Sequence, residues 1–478
     1  MVVHDSVAAA SSSIGLSTRV PYPPESPVVK VDGRPESIEL RDIRKNEDGA
    51  STSQHAIVTT TEAQDAEGSG AAAPESEVDP RLLNRKLQIH FATMCSALFL
   101  AGWNDGTTGP LLPRIQEVYH VNFTLVSLIF VFNCLGFLLA AGANVALTDR
   151  LGFGWVMAIG AIAQVIGYVI EATAPPFPAF VLGYFVNGFG LALQDAGANS
   201  YVSSFSGGTE TKMGIMHAVY GGCAFCSPLI ATQFAEQRHW SYHYLTSLGV
   251  ATINLVAQCT VLRFRTQDEC LAELGQTQNE DSGNGGGKYK QIFRLRALHL
   301  LALFIFIYVG IEVTVGGWIV TYVQDVRSGG PSVGYISSGF FGGLMLGRVL
   351  LLWVNKLVGE RYVIFLYIFL TIGLEFIVWF VPSLIGGAVA VSFVGLFLGP
   401  IYPIVMNHSG RILPPWLLTG CIGWIAGFGQ AGSAFLPFLT GLLANKQGIK
   451  TLQPLLVSMM GFLLCLWAIV PNHSRRID

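Results

Sequence analysis

From Gln88 to Pro471 the sequence is a succession of apolar segments of about 20 residues, and at 1.5 Å per residue that length crosses ~30 Å of hydrocarbon. Twelve segments stand out: 89–112, 124–147, 155–173, 178–202, 213–235 and 243–263, then 297–323, 334–355, 362–381, 385–408, 417–443 and 452–471. Lipid offers no hydrogen-bond partners, so each segment must satisfy its own backbone as a helix. The expected fold is an all-α membrane protein with twelve transmembrane helices. Composition agrees, since 51% of the 478 residues are hydrophobic, only 12% are charged and 54 are Gly. A net charge of −3 gives no basic surface, which excludes nucleic acid as a partner. The eight Cys lie mostly inside apolar runs and imply no disulfide framework; Cys223-x-x-Cys226 lacks ligand neighbours and reads as packing.

The remaining stretches set the domain boundaries. Residues 1–87 are rich in Ser, Ala, Pro, Glu and Asp without apolar period, so a disordered cytoplasmic tail is expected, with no cleaved signal peptide. Six-helix bundles over 88–263 and 297–473 flank a Gly-rich, polar linker at 264–296, and 474–478 form a short cytoplasmic tail. With both termini inside, most Lys and Arg fall on the cytoplasmic side, including Arg85, Lys86, Arg150, Lys356 and Arg361. The sequon Asn122-Phe-Thr124 then falls outside. An integral, multi-pass protein of the plasma membrane follows, with the vacuolar membrane as the alternative.

The two sets of six carry matching features. Asp149-Arg150-Leu-Gly152 follows the second segment, and Asn355-Lys356-Leu-Val-Gly359 follows the eighth. Ala224-Phe-Cys-Ser-Pro228 in the fifth segment is mirrored by Ser433-Ala-Phe-Leu-Pro437 in the eleventh. Pro and Gly at corresponding places kink helices and permit close approach. This arrangement resembles the major facilitator superfamily, whose loop signature matches Asp149-Arg150-Leu-Gly152, although Val145 stands in place of its first Gly and Phe153-Gly154 replace its closing basic pair. The resemblance covers Gln88 to Pro471 and implies two pseudo-symmetric six-helix bundles. More narrowly the chain is similar to the fucose permease-like branch and its fungal relatives, through Asn104-Asp105, Leu193-Gln-Asp195-Ala-Gly-Ala-Asn199, His217-Ala-Val-Tyr220-Gly221 and Gly399-Pro-Ile-Tyr402-Pro403. That branch implies proton-coupled sugar uptake with carboxylates at Asp105 and Asp195.

An ionisable residue near the bilayer centre costs roughly 3 kcal/mol even on lenient scales, so such residues face a protein-lined or watery interior. Those singled out are Asp105, Asp195, His217, Glu312, Arg348 and Glu375. Asp105, Asp195 and Glu312 are the proton-coupling candidates; the first two sit roughly 7 Å to opposite sides of their helix centres. The bland readings are a capped helix break at Asp105 and an Asp195–Asn199 hydrogen bond. Asn104, Gln194, Asn199, His217, Tyr220, Trp318 and Gln430 are the substrate-binding candidates, because sugars need both planar apolar faces and polar groups; Asn133 and Asn187 belong to the same polar set. Asp149, Arg150, Asn355, Lys356 and Arg348 are expected at the gates, and Glu375 is expected to snorkel near a helix end. No nucleophile–base pair, metal cluster or nucleotide motif occurs, so no enzyme is expected. The expected activity is a monomeric, cofactor-free carrier driven by the proton gradient, taking a sugar or similar small polar solute by alternating access. Export of a hydrophobic metabolite or drug, and a non-transporting receptor on the same fold, are the alternatives.

Overall fold

A computed structural model describes residues 80–276, 291–414 and 417–472. The expected N-terminal tail up to position 79, the centre of the linker at 277–290 and the closing residues 473–478 lie outside the described residues. The long elements are all helices: α1 (Pro80–Tyr119), α2 (Leu128–Leu151), α3 (Phe153–Ala172), α4 (Phe177–Ser203), α5 (Thr209–Ala235), α6 (His243–Leu262), α7 (Arg296–Arg327), α8 (Tyr335–Leu350), α9 (Glu360–Phe380), α10 (Leu384–Leu398), α11 (Leu418–Gln447) and α12 (Leu452–Ile469). Among the described residues, eleven helices are long and apolar enough to cross a membrane. The 40-residue α1 falls short on hydropathy because the polar run from Trp103 to Thr108 sits in its middle.

Several expected boundaries move. α1 begins at Pro80, ahead of the position 88 expected from hydropathy, since a helix continues past the lipid for as long as its backbone bonds do. The tenth segment is broken at Gly399-Pro400 and resumes as Ile401–Ile412, because Pro has no N–H to carry the ladder across. The linker, expected to be flexible, contains a short helix at Gln267–Glu273. Its start is a capping box: Thr266 Oγ1 accepts from Glu269 N at 3.3 Å, and the Glu269 carboxylate accepts from Thr266 N at 2.9 Å.

That short helix is latched to α1. The Glu273 carboxylate lies 3.1 Å from Lys86 Nζ and 2.6 Å from Arg265 Nη1. Partial burial pushes the Glu273 carboxyl up, but the hydrogen bond and charge of Lys86 and the charge of Arg265 outweigh it and hold it below the usual carboxylate range. A depressed acid adds stability that is present above its unfolded value and lost as pH falls through its folded value. The midpoint of thermal unfolding of the wild type should therefore fall as pH drops through and below the ordinary carboxylate range. The Glu273→Gln variant should lack that component.

Packing repeats between the halves. In the first, α1 packs on α5, α4 on both α2 and α3, and α3 on α6; in the second, α7 packs on α11, α10 on both α8 and α9, and α9 on α12. These are the same pairings shifted by six helices, which makes two lobes of one design. The backbone approach is close enough to demand Gly. A Cβ on Gly102 of α1 would lie 2.1 Å from Tyr220 O of α5, and in the second lobe a Cβ on Gly432 of α11 would lie 2.0 Å from Phe306 O of α7. Helices in lipid gain little hydrophobic drive from one another, so such tight contact supplies the van der Waals energy that associates them.

The lobes meet mainly at the end away from the linker. There Phe130 of α2 packs on Trp318 of α7 with ring centres 6.4 Å apart, and Phe123 packs on the same indole at 5.9 Å. A Cβ on Gly109 of α1 would lie 2.1 Å from Gly316 O of α7, and one on Gly334 would overlap Thr232 of α5. Toward the linker, α5 and α8 part: Ile215, Leu350 and the following Trp353 are exposed. The lobes are closed at the far end and splayed at the linker end.

Candidate functional site

Between the lobes lies a cavity of about 170 Å³, room for on the order of ten waters or one small polar solute. The first lobe contributes Asn104, Asp105 and Thr108 from α1, Ile129, Phe130 and Asn133 from α2, Tyr184 and Leu191 from α4, and Tyr220 from α5. The second contributes Val309, Glu312, Val313, Gly316 and Gly317 from α7, Phe341 from α8, and Gln430 and Ser433 from α11. Apolar walls thus alternate with hydrogen-bonding groups, the pairing a carbohydrate-sized polar solute requires.

Asp105 is exposed to this cavity, and Tyr220 Oη donates to its Oδ2 at 2.6 Å. Behind it Asn104 is 7% exposed, and its Oδ1 accepts from Asn187 Nδ2 at 3.0 Å. Glu312 faces Asp105 from the other lobe, beside Arg348 and Tyr308. Asp105 has no such cation of its own, so the two acids occupy different electrostatic settings.

A polar knot holds α1 in this register. Thr107 Oγ1 donates to Trp103 O at 2.8 Å and shares hydrogen bonds with Ser227 Oγ of α5 at 2.7 Å and His243 Nε2 of α6 at 3.0 Å. All four residues are buried. The variant Thr107→Val should cost about 1–3 kcal/mol by leaving buried partners unsatisfied, read as a lowered midpoint of thermal unfolding.

The sequence-predicted residues are sorted by the fold. Asn104, Asp105, Tyr220, Glu312 and Gln430 line the cavity together. Asp195 lies one turn beyond Leu191 toward the linker, half-buried, and Asn199 Nδ2 donates to its Oδ1 at 3.0 Å. Gln194, expected to bind substrate, is instead packed inside the first lobe: its Oε1 accepts from Asn254 of α6 at 2.8 Å. Trp318, also expected there, is fully buried, and its Nε1 donates to Pro437 O at 3.0 Å, so it plugs the far end. His217 is exposed on the linker side of α5.

Among the gate candidates, Asp149, Arg150 and Lys356 are exposed and enter no ion pair among the described residues, as splayed linker ends dictate. Asn355 is turned inward and accepts from Tyr367 Oη at 2.6 Å. Arg348 is half-buried beside Glu312. In the second lobe a linker-end ion pair joins Arg411 to Glu360, whose carboxylate also accepts from Asn407 Nδ2 at 2.6 Å. Glu375 does not snorkel: it is fully buried in α9, facing Gln453 of α12, because α12 covers the side that hydropathy leaves open.

Sequence reasoning passed over Glu171, a fully buried acid of α3, and the cavity positions Thr108, Tyr184 and Ser433. Glu171 lies at the edge of its apolar segment, where an acid reads as a boundary; the signal available was Asn187 one helix on.

The sequence profile of the Major Facilitator Superfamily matches residues 94–330. The crystal structure of a D-xylose–proton symporter superposes with a TM-score of 0.66 at 12% identity, covering 82% of this chain and 98% of that one. The chain has the fold of the major facilitator superfamily. It is a membrane transporter and not an enzyme. The fold is also shared with the Escherichia coli fucose:proton symporter, with a TM-score of 0.54 at 16% identity over 80% of this chain and 98% of that one. In sequence, the chain is 28% identical to Bypass of stop codon protein 6 of Saccharomyces cerevisiae over 420 residues, 82% of this chain and 83% of that protein. It is 25% identical to a glucose/galactose transporter of Brucella abortus over 375 residues, 73% and 86% of the two chains.

Proposed function

We propose that this protein is a proton-coupled symporter of a sugar or a similarly small polar solute, working by alternating access as a monomer. The observation that carries the reading is Asp105, an acid exposed to a closed-ended cavity between the lobes, held by Tyr220 and without a cationic partner among the described residues. Similarity to a glucose/galactose transporter supports the solute class. The linker end is placed in the cytoplasm on the strength of its Lys and Arg excess. No bound cofactor is needed, because the gradient supplies the energy.

The mechanism follows from the two electrostatic settings. Asp105 takes up a proton when its side of the cavity is wet from outside and releases it when the linker end opens, since hydration stabilises the carboxylate. Glu312, set beside Arg348, accepts hydrogen bonds from solute hydroxyls. Solute and proton together remove the charge and unfilled polar groups that oppose closing the lobes around the site.

The test is uptake of labelled monosaccharides into proteoliposomes under an imposed pH gradient, with amino acids and organic anions as controls. Gradient-dependent accumulation of a monosaccharide is expected. Accumulation of none, or accumulation indifferent to the gradient, would sink the reading. Glu312→Gln is expected to raise KM about tenfold or more while leaving the gradient dependence in place, as the loss of one charge-assisted hydrogen bond of ~1.5–3 kcal/mol implies.

A further inference from the structure

Glu171 of α3 and Glu375 of α9 are acids buried outside the cavity, fully shielded, with no cation among the described residues beside them. Only Glu171 connects to the site. Its carboxyl faces the Asn187 side chain of α4, yet neither oxygen has a hydrogen bond of normal geometry, and Asn187 Oδ1 is likewise without a donor. Asn187 Nδ2 is already committed, donating to Asn104 Oδ1 at 3.0 Å. Asn104 in turn lies beside the Asp105 carboxylate. The other titratable groups facing Glu171 are Tyr168 on its own helix, Tyr184 of α4 and Tyr244 of α6, with Asp105 beyond the two amides. The Tyr184 and Tyr244 hydroxyls satisfy each other at 2.9 Å.

A dry carboxylate without donors is costly, while a carboxyl O–H supplies a donor to Asn187 Oδ1; the Tyr168 hydroxyl, also without a partner, faces the same two groups. We propose that Glu171 is protonated and acts as a positioning residue: its O–H donates to Asn187 Oδ1, and this fixes a hydrogen-bond chain through Asn104 whose last N–H points at the Asp105 carboxylate. Every link then runs in one direction, from the buried proton to the cavity. If Glu171 lost its proton it would become an acceptor, Asn187 and then Asn104 would have to turn over, and Asn104 would present a carbonyl oxygen to Asp105. The carboxylate form of Asp105 therefore depends on the proton of Glu171. Ionisation of one acid opposes ionisation of the other although neither touches the other. The role rests on Asp105 being the proton acceptor of the transport cycle.

Infrared spectroscopy of the purified, reconstituted protein tests this without any substrate. At neutral pH the wild type minus Glu171→Gln difference should contain the band of a protonated carboxyl. The pH at which the Asp105 carboxylate band appears, assigned against Asp105→Asn, should be kept in Glu171→Gln, whose amide still donates. It should move to higher pH by about one unit in Glu171→Leu, which leaves Asn187 without a donor and so removes a hydrogen bond from the charged form. Absence of the carboxyl band from the difference, or the same Asp105 titration in the Gln and Leu variants, overturns the proposal. Should the Leu variant not fold, the band in Glu171→Gln decides alone. Loss of proton-linked uptake as an activity, with these spectra intact, would instead refute the symport reading and leave the hydrogen-bond chain standing.

Discussion

Accumulation of solute should collapse to simple equilibration when Asp105 is replaced by Asn. A proton moving down a potential of ~100 mV releases about 2.3 kcal/mol, enough for roughly fiftyfold accumulation of a co-transported neutral solute. Asn cannot change charge, so the variant has no step at which the gradient enters. Asn nevertheless matches the neutral acid in shape and can keep a hydrogen bond with Tyr220, whose hydroxyl lies 2.6 Å from Oδ2 in the wild type. Exchange of labelled for unlabelled solute across the vesicle, which needs no net proton movement, should therefore survive. An Asp105→Asn protein that still accumulates solute under a pH gradient would remove Asp105 from the coupling step. Loss of exchange together with accumulation would make it a binding or structural residue instead.

The second large effect is expected at the far end. Substituting Val for Gly109 places a Cβ about where it would meet Gly316 O at 2.1 Å, well inside contact distance, and the obstruction is backbone rather than a side chain that can swing aside. The closed arrangement of α1 against α7 would be lost, whereas contacts within each lobe would not. A shift from 1:99 to 99:1 between two states takes about 5.5 kcal/mol, and a backbone overlap of that kind supplies a penalty of this order. The variant should sit open to the far end and transport nothing. In a cysteine-free background, Phe130→Cys placed beside the far-end plug should be labelled by a membrane-impermeant maleimide at least about tenfold faster when Gly109→Val is present, that shift being far larger than tenfold. Equal labelling with and without Gly109→Val would show that this contact does not hold the far end closed. Gly142, which a Cβ would leave without a neighbour, is the matched control site.

These two positions differ in what marks them in the sequence. Asp105 is legible in the sequence because a single acid inside an apolar segment has few affordable places, and the cavity is where the fold puts it. Glu312 was legible for the same reason. Gly109 was one of 54 glycines, and nothing local separates it from Gly142; only the crossing of α1 and α7 gives it a partner. Gln194 and Trp318 show the converse. Both have the chemistry of solute binding, but their helix faces turn toward Asn254 and Pro437, and a side chain can serve only the surface it reaches. Glu171 was hidden because its partner, Asn187, comes from another helix, and an acid near the end of an apolar run looks like a lipid boundary until α4 is packed over it.

What the sequence determined by itself was the class of fold and the two-lobe repeat, because a bilayer leaves each apolar stretch a single way to satisfy its backbone. Which end of the lobes is closed, which polar residues share one cavity and which acids are sealed from water were decided only by tertiary structure. Those properties belong to pairs of helix faces brought together across distant parts of the chain, and no local pattern encodes the rotation that joins them.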